Sequence, residues 1–357
     1  MKNQISAKIV ADSINQQRDR ITTMEIVFPR PILAEFNTHR LFTRNSASSR
    51  AIPFKKMVEM VKNSPFIPIA WQKDHSGMQG TEYFEGWRAK ILNLAWKAGA
   101  KSAVFAATKL HKLGLTKQLC NRLLEPFMYH KVLVTFTETE NFFNLRCPQY
   151  EDTYRNEIYK SRKDMCDDWN REHLSGLPKQ DSTLEWLKIN KGQGEIHIMD
   201  LAEKMWDAMN ESIPVKLNSG QWHIPYGDNI SDENANDYLE NIYDIRKDGL
   251  WGQKEIEEFK CKIAVARCAR LSYQTLGDNP VIDYKADLKL FDILKNSGHF
   301  SPFEHVARCM SNEEYRSYIK GKCVINSISD EVIAPVINEG WCNNFKGFIQ
   351  YRYLLES

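Results

Sequence analysis

THRLFTRNSASSR, Thr38 to Arg50, follows two segments rich in Ile, Val and Thr and crowds basic side chains among small polar ones. His39, Arg40, Arg44 and Arg50 share it with Asn45, Ser46, Ser48 and Ser49. A guanidinium fork binds phosphate bidentately, and hydroxyls and loop amides add donors. The stretch therefore suits a phosphate monoester or diphosphate, although the same composition also suits a solvated basic turn. Upstream, Ala7–Ile14 and Ile21–Phe28 read as strands. Pro29 and Pro31 end the second, and Pro31 fits the first turn of a short helix over Ile32–His39. That helix would run into a polar loop, Thr43–Arg50.

Downstream, Pro53–Lys62 reads as a helix, and Trp87, Ile91, Leu94 and Ala98 recur at helical spacing. The spacing predicts a long helix from about Tyr83 to Leu113, capped by Gly114. Arg122–Leu124 closes a short helix before Pro126, Val132–Thr137 is a strand and Glu140–Leu145 a helix. Tyr159 to Lys254 is charged, rich in Trp and loop-like, with one amphipathic helix marked by Ile198, Leu201 and Met205. It reads as an inserted or peripheral lobe. Glu255–Leu271 and Asp283–Ser297 are strong helices, the second stopped by Gly298. The expected fold class is α+β, long helices packed on a mixed or antiparallel sheet, in three parts: 1–158, 159–254 and 255–357.

The formal net charge of +2, from 48 basic and 46 acidic residues, gives no bulk drive toward a nucleic-acid polymer or a membrane. Any anion must be held by a local Arg cluster. The eight Cys form no C-x-x-C pair, which argues against a zinc ribbon or dithiol site. MKNQISAKIV lacks the apolar core of a secretory leader, and no apolar run reaches membrane-spanning length. A cytoplasmic location with free thiols is expected.

Two further motifs carry chemistry. ENFFNLR, Glu140 to Arg146, brackets aromatic residues between Asn141 and Arg146, and by itself suits an amphipathic helix with a surface Arg. GHFSPFEH, Gly298 to His305, sets two His and a Glu around Pro302. That spacing is not a zinc-binding helix pattern, so no metal is expected. Locally it also fits a turn opening a helix, with Ser301 as N-cap and Glu304 three residues later.

Together the three motifs resemble the flavin-dependent thymidylate synthases. THRLFTRNSASSR is similar to that family's R-H-R, seven residues, Ser signature at His39, Arg40, Asn45, Ser48 and Arg50. ENFFNLR is similar to its N-F-L-x-L-R segment at Asn141, Phe142, Leu145 and Arg146, and GHFSPFEH to its G-H-x-S/T-P-F-E-H flavin segment. Ala266–Tyr273 resembles its A-A-R-V-S stretch, and Arg122 stands where the family carries a phosphate-binding Arg. The resemblance spans about 1–158 and 256–310. The motif order is reversed, as in a circular permutation, which would bring Ile21–Phe28 beside the segment around Ser301–Ala307. Thr38 and Ser46 replace an Arg and a Glu of the signature, and Glu35 stands where Gln is common.

The resemblance implies methylene transfer from methylenetetrahydrofolate to carbon 5 of dUMP, with FAD and NADPH supplying the reduction, in a homotetramer. It implies that Arg146 is catalytic and contacts the base. Glu35, Ser48, Ser49, Arg50 and Arg122 would hold the nucleotide, and His39, Arg40, Asn45, Asn141, His299, Ser301 and Glu304 the FAD. Alternatives are hydroxymethylation of dUMP, methylation of dCMP for a virus that modifies its DNA, and a non-catalytic flavin- or nucleotide-binding relative. A thiol-dependent thymidylate synthase is disfavoured, because RCPQ at Cys147 reverses the order of that nucleophile's usual context.

Overall fold

The two Ile/Val/Thr-rich segments form an antiparallel pair, Ser6–Ile14 against Arg20–Pro29, with an irregularity between Ile9 and Ala11. Arg20–Pro29 pairs next with Tyr129–Phe136, and that strand with Thr43–Ser46. Val215–Lys216 adds parallel to the far edge, completing a five-stranded mixed sheet. The computed structural model describes residues 5–76, 80–227, 229–243, 252–272, 283–325 and 332–356. Tyr273 and residues 244–251 of the expected lobe lie outside them.

Side chains alternate across a strand, so the sheet has two different faces. Met24, Ile26, Phe28, Val132, Val134 and Phe136 meet the Glu140–Arg146 and Ile196–Glu211 helices through Phe142, Phe143, Ile198, Leu201 and Met205. On the other face Leu133 meets Cys268 and Leu271 of the Gln253–Ser272 helix. The stretch expected as a peripheral lobe thus fills part of the main core. Its Ile196–Glu211 helix buries Ile, Leu and Met against the sheet, and its Val215–Lys216 strand extends it.

Thr43–Ser46, expected as loop, is an edge strand. Thr43, Asn45 and Ala47 are buried while Arg44, Ser46 and Ser48 are half-buried, a period of two that small polar residues hide from a hydrophobicity reading. The helix expected over Ile32–His39 is shorter: a 3-10 turn Arg30–Ile32, then Leu33–Phe36. The long helix runs Gly86–Lys112, with Gly114 at φ +90° closing it through its N–H to His111 O at 3.1 Å. Its sequence-marked stripe faces outward, with Trp87 66% and Leu94 67% exposed, while Ala100, Val104 and Ala107 make the buried contacts.

Ala307–Cys309 lies between Trp222–His223 and Phe348–Gln350 in a second, three-stranded antiparallel sheet. Ile21 packs with Ala307, Cys309, Phe345 and Phe348. The two segments that a permutation would juxtapose are therefore neighbours, but in different sheets.

Candidate active site

The Glu140–Arg146 helix ends beside the chain leaving Leu33–Phe36, because Phe142 packs among Phe36, Phe42 and Phe136. This packing delivers Arg146 to Thr38 and His39. Arg146 Nε donates to His39 Nε2 at 3.2 Å, and Nη2 reaches Thr38 Oγ1 at 3.5 Å. The His39 ring is buried edge-on to Phe142 with centroids 4.8 Å apart. Burial first, then the Arg146 and Arg44 charges, lower its pKa to about 4, so His39 is neutral near pH 7 and accepts from Arg146. Arg44 fixes the loop from below, donating to Asn37 O at 3.2 Å and His39 O at 3.1 Å. Glu35 completes the group: its Oε2 is buried with no hydrogen-bond partner among the described residues. Burial, and next the Glu195 charge, push its carboxyl above the usual range, against the pull of Arg146 and His197.

Ser48 to Arg50 follow the Thr43–Ser46 strand directly. Asn121, fully buried, donates to Ser49 O at 2.7 Å and Ile52 O at 3.0 Å and so shapes this turn. The Ser49 hydroxyl, expected to meet a phosphate, is given to Glu125. Ser48 is half-buried, and Arg40, Arg50 and Arg122 are exposed with no ion pair among the described residues. These guanidinium groups are free to take an anion.

In GHFSPFEH, Gly298 at φ +69° turns the chain out of the Tyr284–Asn296 helix. Ser301–His305 is a 3-10 turn with no side-chain cap, so the expected Ser301 N-cap does not form. Pro302 and Phe303 are buried, and Glu304 pairs with Arg352 instead of reaching back. His299 is exposed, Ser301 half-buried and Asn141 exposed. Asn45, expected to face a cofactor, donates to Cys268 O at 2.9 Å and ties the edge strand to the Gln253–Ser272 helix. The structure thus brings Glu35, His39 and Arg146 together and places Ser48, Ser49 and Arg50 one strand-length further along the same chain. It uses Asn45, Ser49 and Glu304 for internal ties.

Sequence reasoning missed Arg352, whose partner Glu304 is remote in the chain. It also missed a buried polar row. Ser13 Oγ meets His223 Nδ1 at 2.9 Å, and His223 Nε2 meets Thr23 Oγ1 at 2.8 Å. Thr23 Oγ1 meets Thr135 Oγ1 at 2.7 Å, and Thr135 Oγ1 meets His305 Nδ1 at 2.8 Å. His305 Nε2 has no partner among the described residues. The row docks the Ser301–His305 turn on the central sheet. Among the described residues no group of three or more His, Cys, Asp or Glu is placed to hold a metal ion, and no helix is long and apolar enough to cross a membrane.

No protein-family model matches the chain, and no curated protein matches it. Solved structures do, two among them at low identity. Both are crystal structures of the UMP/dUMP methylase PolB from Streptomyces cacaoi, one bound with 5-Br UMP and the other with 5-Br dUMP. The first is 12% identical, with a TM-score of 0.39 over 58% of this chain and 89% of that one. The second is 11% identical, with a TM-score of 0.35 over 48% of this chain and 90% of that one.

Proposed function

We propose that the chain is a flavin-dependent enzyme that transfers a methylene from methylenetetrahydrofolate to carbon 5 of dUMP, giving dTMP. The observation that carries the reading is the convergence of Arg146, neutral His39, Thr38 and the unpartnered Glu35 Oε2 in one cluster, with Arg40, Arg50 and Arg122 exposed and without an ion pair among the described residues. The three motif resemblances support it.

Carbon 5 of uracil becomes nucleophilic when negative charge on the ring is stabilised. Arg146, oriented by His39 and Thr38, supplies a fixed guanidinium for the carbonyl edge of the base. Such preorganised donors act most strongly where water is excluded. Because His39 is neutral, it accepts from Arg146 without competing for that charge. Arg50 and Arg122 bind the 5′-phosphate.

The donor set also fits FAD. Arg40, Asn141, His299 and Ser301 offer a cation, an amide, an imidazole and a hydroxyl, none with a side-chain partner among the described residues. FAD, when bound, would supply the reducing hydride, with NADPH as reductant. Asn45 ties the edge strand to the Gln253–Ser272 helix, and Glu304 pairs with Arg352 beside the same turn.

The test is direct. The purified protein should carry the visible absorption of bound flavin and, given dUMP, methylenetetrahydrofolate and NADPH, release a nucleotide with the mass of dTMP. A hydroxymethylated product, or turnover of dCMP alone, would replace the reaction but keep the site. Flavin retention without turnover of either nucleotide would make the chain a binding protein. Loss of both flavin and nucleotide binding would overturn the reading.

A further inference from the structure

Asn121 is fully buried, and its amide nitrogen is committed to the turn that precedes the Phe54–Asn63 helix. Nδ2 donates to Ser49 O at 2.7 Å and to Ile52 O at 3.0 Å. The turn also closes on itself through Ser48 O, which accepts from the N–H of Ala51 at 2.9 Å and of Ile52 at 3.3 Å. Two carbonyl acceptors fix which way the amide faces, because a flipped group would set oxygen against oxygen twice. That orientation leaves Asn121 Oδ1 buried with no partner among the described residues, which is destabilising. An apolar side chain would avoid the orphan, so what an amide contributes at this position is its two bonds to the turn. Those bonds join two particular places. Ser49 O belongs to the peptide group that leads into Arg50, and Arg122 follows Asn121 at the end of the Lys117–Arg122 helix. A second tie runs from the Ser49 hydroxyl to the Glu125 carboxylate, just beyond Arg122 in the chain.

We propose that Asn121 is a positioning residue for nucleotide binding, fixing the backbone of Arg50 against that of Arg122 so that both guanidinium groups meet one 5′-phosphate. This rests on the reading of Arg50 and Arg122 as the groups that bind that phosphate. Both side chains are exposed, and a long exposed side chain loses rotamer freedom when it is ordered on a ligand. Bidentate contact with phosphate also demands a set direction of approach. Holding the two backbones in register removes part of the ordering cost before the ligand arrives. Asn121 is wholly covered, so it acts through the two Arg and not on the phosphate itself.

The measurement is the affinity of dUMP and of deoxyuridine, which lacks the phosphate, for the whole protein by titration calorimetry. The variants are Asn121→Ala, Arg50→Ala and the two combined. Asn121→Ala should weaken dUMP by about tenfold and leave deoxyuridine unchanged. In the Arg50→Ala background the same change should weaken dUMP by less than about twofold, because the pair it aligns is already broken. Urea midpoints show which variants are folded. If Asn121→Ala is not, Asn121→Gln decides: it carries the same amide on one more methylene, displaces the turn and should give the same phosphate-selective loss. Unchanged dUMP affinity in the folded variant, equal losses for dUMP and deoxyuridine, or equal losses with and without Arg50 would each overturn the proposal while leaving the phosphate site standing. A parent that binds dUMP no better than deoxyuridine overturns the phosphate reading of Arg50 and Arg122, and the proposal with it.

Discussion

Thr135→Val removes one oxygen from the centre of the buried polar row and keeps the side-chain shape. Thr135 Oγ1 bridges Thr23 Oγ1 at 2.7 Å and His305 Nδ1 at 2.8 Å, and all three residues are fully buried. Thr23 retains His223 Nε2 at 2.8 Å, so it loses one bond of about 1 kcal/mol. His305 fares worse, since its Nε2 is already unpartnered and both ring nitrogens would then be unsatisfied, at about 1–3 kcal/mol. The added methyl returns roughly 0.8 kcal/mol of apolar burial. The net loss should be about 1–3 kcal/mol, read as a lower urea midpoint at constant m-value. Thr135→Ser, which keeps the bridge, should lose only about 1 kcal/mol from the missing methyl group. Thr135→Val with His305→Leu removes both partners and should cost less than the sum of the single changes. If Thr135→Val proved as stable as Thr135→Ser, and the double-mutant coupling lay within about 0.5 kcal/mol of zero, the row would not join the Ser301–His305 turn to the sheet.

Burial pushes His223 and His305 down to about 3, and burial with the nearby Arg30 charge does the same to His130. The unfolded chain takes these protons near pH 6.5 and the folded one does not, so stability is complete above that value and falls as pH drops toward 3. The slope is up to about 1.4 kcal/mol per pH unit for each histidine, and a melting temperature constant from pH 6.5 to 4.5 would contradict it. Arg146→Ala should reduce kcat by about a hundred- to thousandfold. Arg146→Lys should also be poor. Arg50→Ala should raise KM more than it lowers kcat, and steady-state kinetics at matched flavin content separate the three variants. Glu203, nearly fully buried, accepts from Arg162 N at 2.7 Å, Nε at 2.9 Å and Nη2 at 2.7 Å. Glu203→Leu leaves the part-buried Arg162 charge only Asp200, at 3.4 Å, and should destabilise by about 3–5 kcal/mol in urea unfolding, whereas a loss under about 1 kcal/mol would mean that Asp200 and water suffice for Arg162.

Local pattern and caps were legible in the chain. Runs of Ile, Val and Thr marked the strands at Ser6–Ile14, Arg20–Pro29 and Tyr129–Phe136, and Gly114 and Gly298 marked two helix ends. The grouping of Glu35, His39 and Arg146 was legible only as separate motifs. Tertiary packing joined them, because Phe142 must bury its ring among Phe36, Phe42 and Phe136 and carries Arg146 along. Edge pairing made Thr43–Ser46 a strand, since the backbone N–H and C=O groups of Tyr129–Phe136 need partners whatever side chains supply them. The stripe at Trp87, Ile91 and Leu94 predicted a helix correctly, but periodicity reports that a face exists and not whether anything covers it. Sequence alone determined which residues could form helices, strands and charged contacts, because those preferences are set within a few residues. The tertiary structure decided that Ile196–Glu211 is core and that Ser49, Asn45 and Glu304 are internal ties. Each of these depends on a partner far along the chain, and only the folded backbone brings such partners within hydrogen-bonding or Coulombic range.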